Sequence, residues 1–159
     1  MTHNDQHYTL FINAAPQQCW DAITNPEFSR QYWGGHANIS DWTEGATWQH
    51  EDTNDGNAVR VTGKVLECNP PHRLVISWFS PRNEADISKV SFEITPLQGV
   101  VRLDVIHHDF IADSTMARGV ANGWPLVLSS LKSYLETGKG MDVMTIMGNS
   151  ACAGKDAAA

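Results

Sequence analysis

The stretch Gly119-Val-Ala-Asn-Gly-Trp-Pro-Leu-Val-Leu-Ser-Ser-Leu-Lys-Ser-Tyr-Leu-Glu-Thr-Gly138 decides the fold, because it is the only long segment with a clear helical period. Val120, Trp124, Val127, Leu128, Leu131 and Leu135 recur at three- and four-residue steps and share one stripe. Ser129, Lys132, Ser133 and Glu136 fall on the other side. This is a helix with one face to bury. Gly138, just past the last apolar residue, suits a left-handed C-cap. A proline deep in a helix costs about 3 kcal/mol. Pro125 therefore predicts that the regular helix starts at Asn122 as N-cap, with the proline in its first turn and residues 114–121 as a separate lead-in.

Everything upstream reads as a sheet built to receive that face. Tyr8-Thr-Leu-Phe-Ile-Asn13 is rich in β-formers and alternates only loosely, which predicts a first strand buried on more than one side. Pro16 opens a short helix with Cys19, Trp20 and Ile23 on one face. Asn25-Pro26 stops it and caps a second, carrying Phe28, Tyr32 and Trp33, which Gly34-Gly35 ends. From there to Phe110 the texture is short β-type runs between turn residues, the pattern of an antiparallel meander. The runs are Ile39–Trp42, Ala46–Glu51, Ala58–Cys68 and Leu74–Phe79, then one around Val90, Phe92 and Ile94, and one with Val101, Leu103, Val105 and His107 on one face. Ser80–Glu84 reads as polar loop. Clean alternation in neighbouring strands means one face covered and one wet. The expected fold is α+β, with about six antiparallel strands curled around the terminal helix over residues 1–140. Past Gly140 the chain is Met-, Gly- and Ala-rich without a period, so residues 141–159 are expected to form a loosely held, flexible tail.

Composition bounds the function. A chain of 159 residues makes one domain of ordinary size, burying roughly 70% of the surface its unfolded form exposes. A formal net charge of −7, with no cluster of Lys or Arg, argues against nucleic acid or an anionic membrane as partner. The sequence lacks an apolar run near eighteen residues and a charged-then-apolar start, so neither a membrane span nor a signal peptide is expected and the cytoplasm is the default. Cys19, Cys68 and Cys152 are odd in number and lack C-x-x-C spacing, which predicts reduced thiols in place of a disulfide framework or zinc ribbon.

Three local strings in this order resemble the START-like, helix-grip superfamily, also called SRPBCC. They are Ala15-Pro-Gln-Gln-Cys-Trp-Asp-Ala-Ile-Thr-Asn-Pro26 with Tyr32-Trp33, Gly63-Lys-Val-Leu-Glu-Cys-Asn-Pro-Pro-His-Arg-Leu74 with Trp78, and Gly123-Trp-Pro-Leu-Val-Leu-Ser-Ser-Leu-Lys132. Within the superfamily the chain is most similar to the group named after the C-terminal domain of the activator of the heat-shock-protein-90 ATPase. The resemblance spans residues 8–138. It implies a helix-grip sheet and a cavity between sheet and long helix that holds an apolar small molecule. The activators of the family title carry a separate chaperone-binding domain for which this chain has no room, so co-chaperone activity is not carried over as an expectation. No catalytic signature common to the superfamily exists to carry over either.

The candidate site follows from which side chains face the cavity. Trp33, Trp48, Trp78 and Trp124 are expected to line it, because a helix-grip sheet has more concave surface than one helix can fill. Phe92, Leu103, Val105 and Leu128 complete the expected wall. His107, in register with Leu103 and Val105, should point to the covered face as a polar anchor or proton donor, or else as a satisfied structural histidine. His108 points the other way, so the pair does not chelate one metal. His50 shares the face of Trp48 and would meet His107 if that face is concave, with Glu51 or Glu67 near. In the absence of H-x-x-x-H or C-x-x-C spacing no metal is expected, and no cofactor is. Ser129-Ser130 reads as a helix-face pair, since no G-x-S-x-G string is present.

The reading is a domain that sequesters an apolar or aromatic small molecule. One alternative is a cyclase- or dehydratase-like enzyme using His107 or His50 as proton shuttle. The other is a protein-interaction module, of a stress-response or chaperone-associated kind, with a filled core. A pocket of about 300 Å³ or more would favour binding and a packed interior would favour interaction. Association into a homodimer is compatible with all three.

Overall fold

The computed structural model describes residues 5–153, with side chains as far as residue 148. Seven strands form one antiparallel sheet in the order β1-β7-β6-β5-β4-β3-β2. They are β1 (Gln6–Ile12), β2 (His36–Ser40), β3 (Thr47–Asp52), β4 (Ala58–Asn69), β5 (Arg73–Ser80), β6 (Asn83–Pro96) and β7 (Val101–His108). Helices α1 (Pro16–Thr24) and α2 (Pro26–Tyr32) separate β1 from β2, and α3 (Thr115–Thr137) follows β7. Together these make a curved antiparallel sheet gripping a long helix.

The concave face is built by alternation. Along β6, Asp86, Ser88, Val90, Phe92 and Ile94 are buried while Ile87 and Lys89 are exposed, and along β7 Val101, Leu103, Val105 and His107 are at most 0% exposed. Trp124, Val127, Leu128 and Leu131 of α3 close on them. Each large apolar side chain so buried contributes about 1.5–3 kcal/mol, which is why sheet and helix form together. Ser130 is fully buried on the same helix face, so it is not half of a surface pair with Ser129. Its hydroxyl accepts the Met141 N–H at 2.8 Å and ties down the chain that leaves α3.

Several sequence expectations are corrected. β1 is an edge strand, paired only to β7, with every second residue of its first six more open; Phe11 is 52% exposed, so β1 is not buried on two sides. The segment 80–84 is a tight hairpin, since β6 already begins at Asn83 and Ser80 pairs with Asn83. α3 starts at Thr115 and runs through Pro125 without a break. Its true N-cap is Ser114, whose hydroxyl accepts the Ala117 N–H at 3.0 Å and donates to the Asp86 carboxylate. The Asp86 carboxylate also accepts the Met116 N–H at 2.9 Å, a negative group at the positive end of the helix. These anchors outweigh the proline. The one carbonyl that Pro125 leaves without a helical partner is that of Ala121, an exposed residue where water can serve it. The C-cap is as expected, with Gly138 at φ 83° and its N–H on the Tyr134 carbonyl at 2.8 Å. Past Gly140 the chain is helical again, as α4 (Val143–Ala153), with Val143 buried; the last part of the expected tail, residues 154–159, lies outside the described residues.

Candidate functional site

A layer of rings fills the space between the concave sheet and α3. Trp78 of β5 stands at its centre, with ring centroids 5.2 Å from Trp48, 5.6 Å from Trp124, 5.3 Å from His107 and 6.3 Å from His50. The two imidazoles therefore do not meet, because the Trp78 indole lies between them. Among the described residues no group of three or more His, Cys, Asp or Glu side chains is placed to hold a metal ion.

His107 is fully engaged by the protein. The Trp124 indole N–H can only donate, and it does so to His107 Nδ1 at 3.0 Å. The imidazole proton consequently sits on Nε2 and is given to Ser88 Oγ at 2.7 Å, while Ser88 Oγ passes its own proton to the Trp78 carbonyl at 3.3 Å. Phe110 stacks on the ring at 4.5 Å. Burial, with a smaller push from His108, pulls the His107 pKa down to about 3, so the ring is neutral. Both nitrogens are used, which corrects the expectation that His107 offers a ligand a polar anchor. It is the satisfied structural histidine.

His50 differs in one atom. Asn38, its cross-strand partner in β2, donates Nδ2 to the Ile23 carbonyl at 2.9 Å, which fixes the amide orientation. Asn38 Oδ1 therefore faces His50 and accepts Nδ1–H at 2.7 Å. His36 stacks on the ring at 4.9 Å, and Trp33 meets it edge-on at 4.8 Å. Burial first, then His36, lowers the pKa to about 3 against an opposing pull from Asp52. Nε2 of this neutral ring makes no hydrogen bond among the described residues.

Trp33, Trp78, Val120, Gly123, Trp124 and Val127 border an opening of about 70 Å³ between β5, the end of α2 and the first half of α3. Of its three indoles, Trp78 is tied through Nε1–H to Met116 Sδ at 3.3 Å and Trp124 to His107. Trp33 is half-buried, its indole N–H makes no hydrogen bond among the described residues, and Gly34 and Gly35 follow it at φ 63° and 77°, the left-handed region that favours glycine. It is the indole of the three that is held by ring packing alone, against Tyr32, His50 and Trp124. The volume is well below the 300 Å³ expected of a preformed ligand cavity. Trp48 is not on this wall: it is 1% exposed and donates to the Ser77 carbonyl at 2.7 Å. Gly63 makes room for that carbonyl, since a β-carbon at Gly63 would collide with it. Phe92, Leu103, Val105 and Leu128 likewise lie in the packed core behind the opening. Two larger hollows, of about 380 and 460 Å³, lie outside the sheet–helix interior, against α1 and the end of α3 and against the start of α4.

Sequence reasoning missed Asn38 and Ser88, the two residues that fix the imidazole tautomers. The available signal was a small polar residue among apolar ones on a buried strand face, but which histidine each meets depends on sheet register. The thiols of Cys19 and Cys68 are unpaired, and burial pushes Cys19 up to about 12, where it is inert; the side chain of Cys152 lies outside the described residues.

A seven-stranded antiparallel sheet around a C-terminal helix, with two short helices after the first strand and a ring-lined opening between sheet and helix, defines a helix-grip domain of the START-like class. Residues 13–136 match the family model of the activator of Hsp90 ATPase homolog 1-like proteins, and the chain belongs to that family. Solved structures of the same fold include CalU16 from Micromonospora echinospora, at 23% identity and TM-score 0.68 over 94% of this chain and 84% of that one. The Aha1 dimer from Colwellia psychrerythraea aligns at 19% identity and TM-score 0.69, over 88% of this chain and all of that one (100%). An HSP90 activator from Plasmodium falciparum aligns at 18% identity and TM-score 0.64, covering 91% and 96%. At these identities the likeness is one of fold. No curated protein matches the chain. Among the described residues no helix is long and apolar enough to cross a membrane.

Proposed function

We propose that the domain binds a small, ring-sized apolar or aromatic molecule at the opening between Trp33, Trp78 and Trp124, with Trp33 swinging aside to admit it. The observation that carries this reading is the asymmetry of the three indoles: two are hydrogen-bonded in place, and the third is half-buried with no hydrogen bond from its indole N–H among the described residues. The closed volume of about 70 Å³ is too small for a ring, so the ligand takes the place of the Trp33 side chain. A single ring burying about 250 Å² gains roughly 6 kcal/mol gross, from which association costs are subtracted, so affinity should be in the millimolar range. The proton shuttle of an enzyme fits the site poorly, since both imidazoles are held neutral well below the pH at which a general acid would act.

The test is uptake of toluene followed by nuclear magnetic resonance, in the wild type and in Trp33→Ala. Saturable binding, with the variant accepting naphthalene better than the wild type does, supports the reading. Toluene that fails to saturate either protein contradicts it. The packed interior favours a second reading, a protein-interaction module, and that failure would leave it standing.

A further inference from the structure

The His50 side chain carries one lone pair that meets no hydrogen-bond donor among the described residues. The residue is 6% exposed. Its proton is committed to Nδ1 by Asn38, whose amide is oriented by the Ile23 carbonyl, so Nε2 is a bare acceptor without a hydrogen bond. No fully buried side-chain nitrogen or oxygen of the described residues lacks a partner, so Nε2 must reach accessible space. The two imidazole nitrogens point in nearly opposite directions. Nε2 therefore faces away from Asn38 and β2; the His50 ring lies 6.3 Å from Trp78 and meets Trp33 edge-on at 4.8 Å, and it does not border the opening while Trp33 is in place. The indole proposed to swing aside is thus one that packs directly on this imidazole.

We infer that His50 Nε2 is the hydrogen-bond acceptor for the molecule taken up at this opening, so the site selects a neutral single ring bearing one hydroxyl or N–H donor, of the phenol class. This inference rests on the binding reading above and gives it a ligand chemistry. A hydrocarbon leaves the acceptor unpaired, which wastes a hydrogen bond that a donor would make. A carboxylate brings a second acceptor to an acceptor. An ammonium brings a charge for which Asp52, the carboxylate whose charge His50 feels, is already engaged by Arg60 at 3.1 Å. His107 cannot supply the same discrimination, because both its nitrogens are taken by Trp124 and Ser88.

Phenol and toluene have nearly the same shape and differ in one donor, so their comparison isolates the acceptor. In the wild type, phenol should bind about three- to tenfold more tightly than toluene, the ratio one net hydrogen bond supplies. In His50→Phe that preference should vanish while toluene still binds. The wild type gives a reading independent of whether this buried substitution folds: the nitrogen-15 resonance of His50 Nε2 should move upfield with phenol and stay put with toluene. Equal affinity for the two probes, an unmoved Nε2 resonance on phenol binding, or a preference that survives in folded His50→Phe would each overturn the inference while leaving the opening as a binding site. Failure of both probes to bind would remove the opening itself, and this inference with it.

Discussion

His107 and His50 stand on opposite flanks of the same indole, both buried and both neutral, yet they end up with different freedoms. Around His107, every donor meets an acceptor: Trp124 gives to Nδ1, Nε2 gives to Ser88, and Ser88 gives to the Trp78 carbonyl. Around His50, only Nδ1 is hydrogen-bonded among the described residues, and the Trp33 indole packs edge-on against the ring. The contrast teaches that burial and a lowered pKa do not by themselves mark a functional histidine. What separates the two is whether a lone pair is left over after the protein has satisfied itself.

The largest expected effect is at the hinge between the two flanks. Trp124→Ala removes a 3% exposed aromatic that packs on Trp33, Trp78, Phe92 and His107, and should cost about 3–5 kcal/mol in chemical denaturation. A loss under about 1 kcal/mol would mean the ring layer is not the packed core described.

Next come the histidines themselves. His107→Phe strands the Trp124 N–H and removes the donor that the Ser88 hydroxyl accepts from, whereas His50→Phe strands only Asn38 Oδ1. At about 1–3 kcal/mol for each stranded buried group, His107→Phe should be the more destabilising of the two. Equal losses would break the comparison.

Acid should affect both sides. Each imidazole has its folded pKa lowered to about 3 from 6.5, so the unfolded chain binds more protons between these values. Stability is then complete above pH 6.5 and falls as pH drops toward 3, by up to about 1.4 kcal/mol per pH unit for each histidine. Asp52 and Asp104, whose pKa values are lowered, act in the same direction but only below the ordinary carboxylate range. Urea titrations at pH 7 and pH 5 should show the decline, and it should flatten in the histidine variants. A stability independent of pH over this span would show that the rings are not buried neutral.

The smallest expected effect is at Gly123, on the rim of the opening. A β-carbon there meets nothing within 4 Å, and alanine is favoured over glycine in a helix by about 1 kcal/mol. Gly123→Ala should raise the melting temperature by a few degrees and narrow the opening, weakening toluene uptake. Tighter uptake would place the ligand elsewhere.

Much of the fold was legible in the sequence, because its signals are local periods. Val90, Phe92 and Ile94 alternate over a strand, and Trp124, Val127, Leu128 and Leu131 repeat over a helix, so each element announces its buried face. The start of α3 was misread because the penalty for Pro125 is visible in the sequence and its compensation is not: Asp86, 28 residues before Ser114, supplies the cap that holds the first turns. The site was legible to the same depth. Trp33, Trp48, Trp78 and Trp124 were expected together because a helix-grip sheet has more concave surface than one helix fills, and Trp48 does not border the opening; whether a ring nitrogen is free depends on what the register brings opposite. Asn38 faces His50 only because β2 pairs with β3 in that alignment, and Ser88 reaches His107 across β6 and β7. Those are contacts between elements, and no single stretch of sequence carries them.

The most direct test of the account is to follow the six indole N–H resonances while toluene is added to the wild-type protein. The account predicts saturable shifts for Trp33, Trp78 and Trp124, with Trp33 moving most, and no saturable shift for Trp42, whose N–H is held by the Thr24 carbonyl. Shifts that fail to saturate, or that leave Trp33 unmoved while Trp42 responds, would contradict binding at the opening.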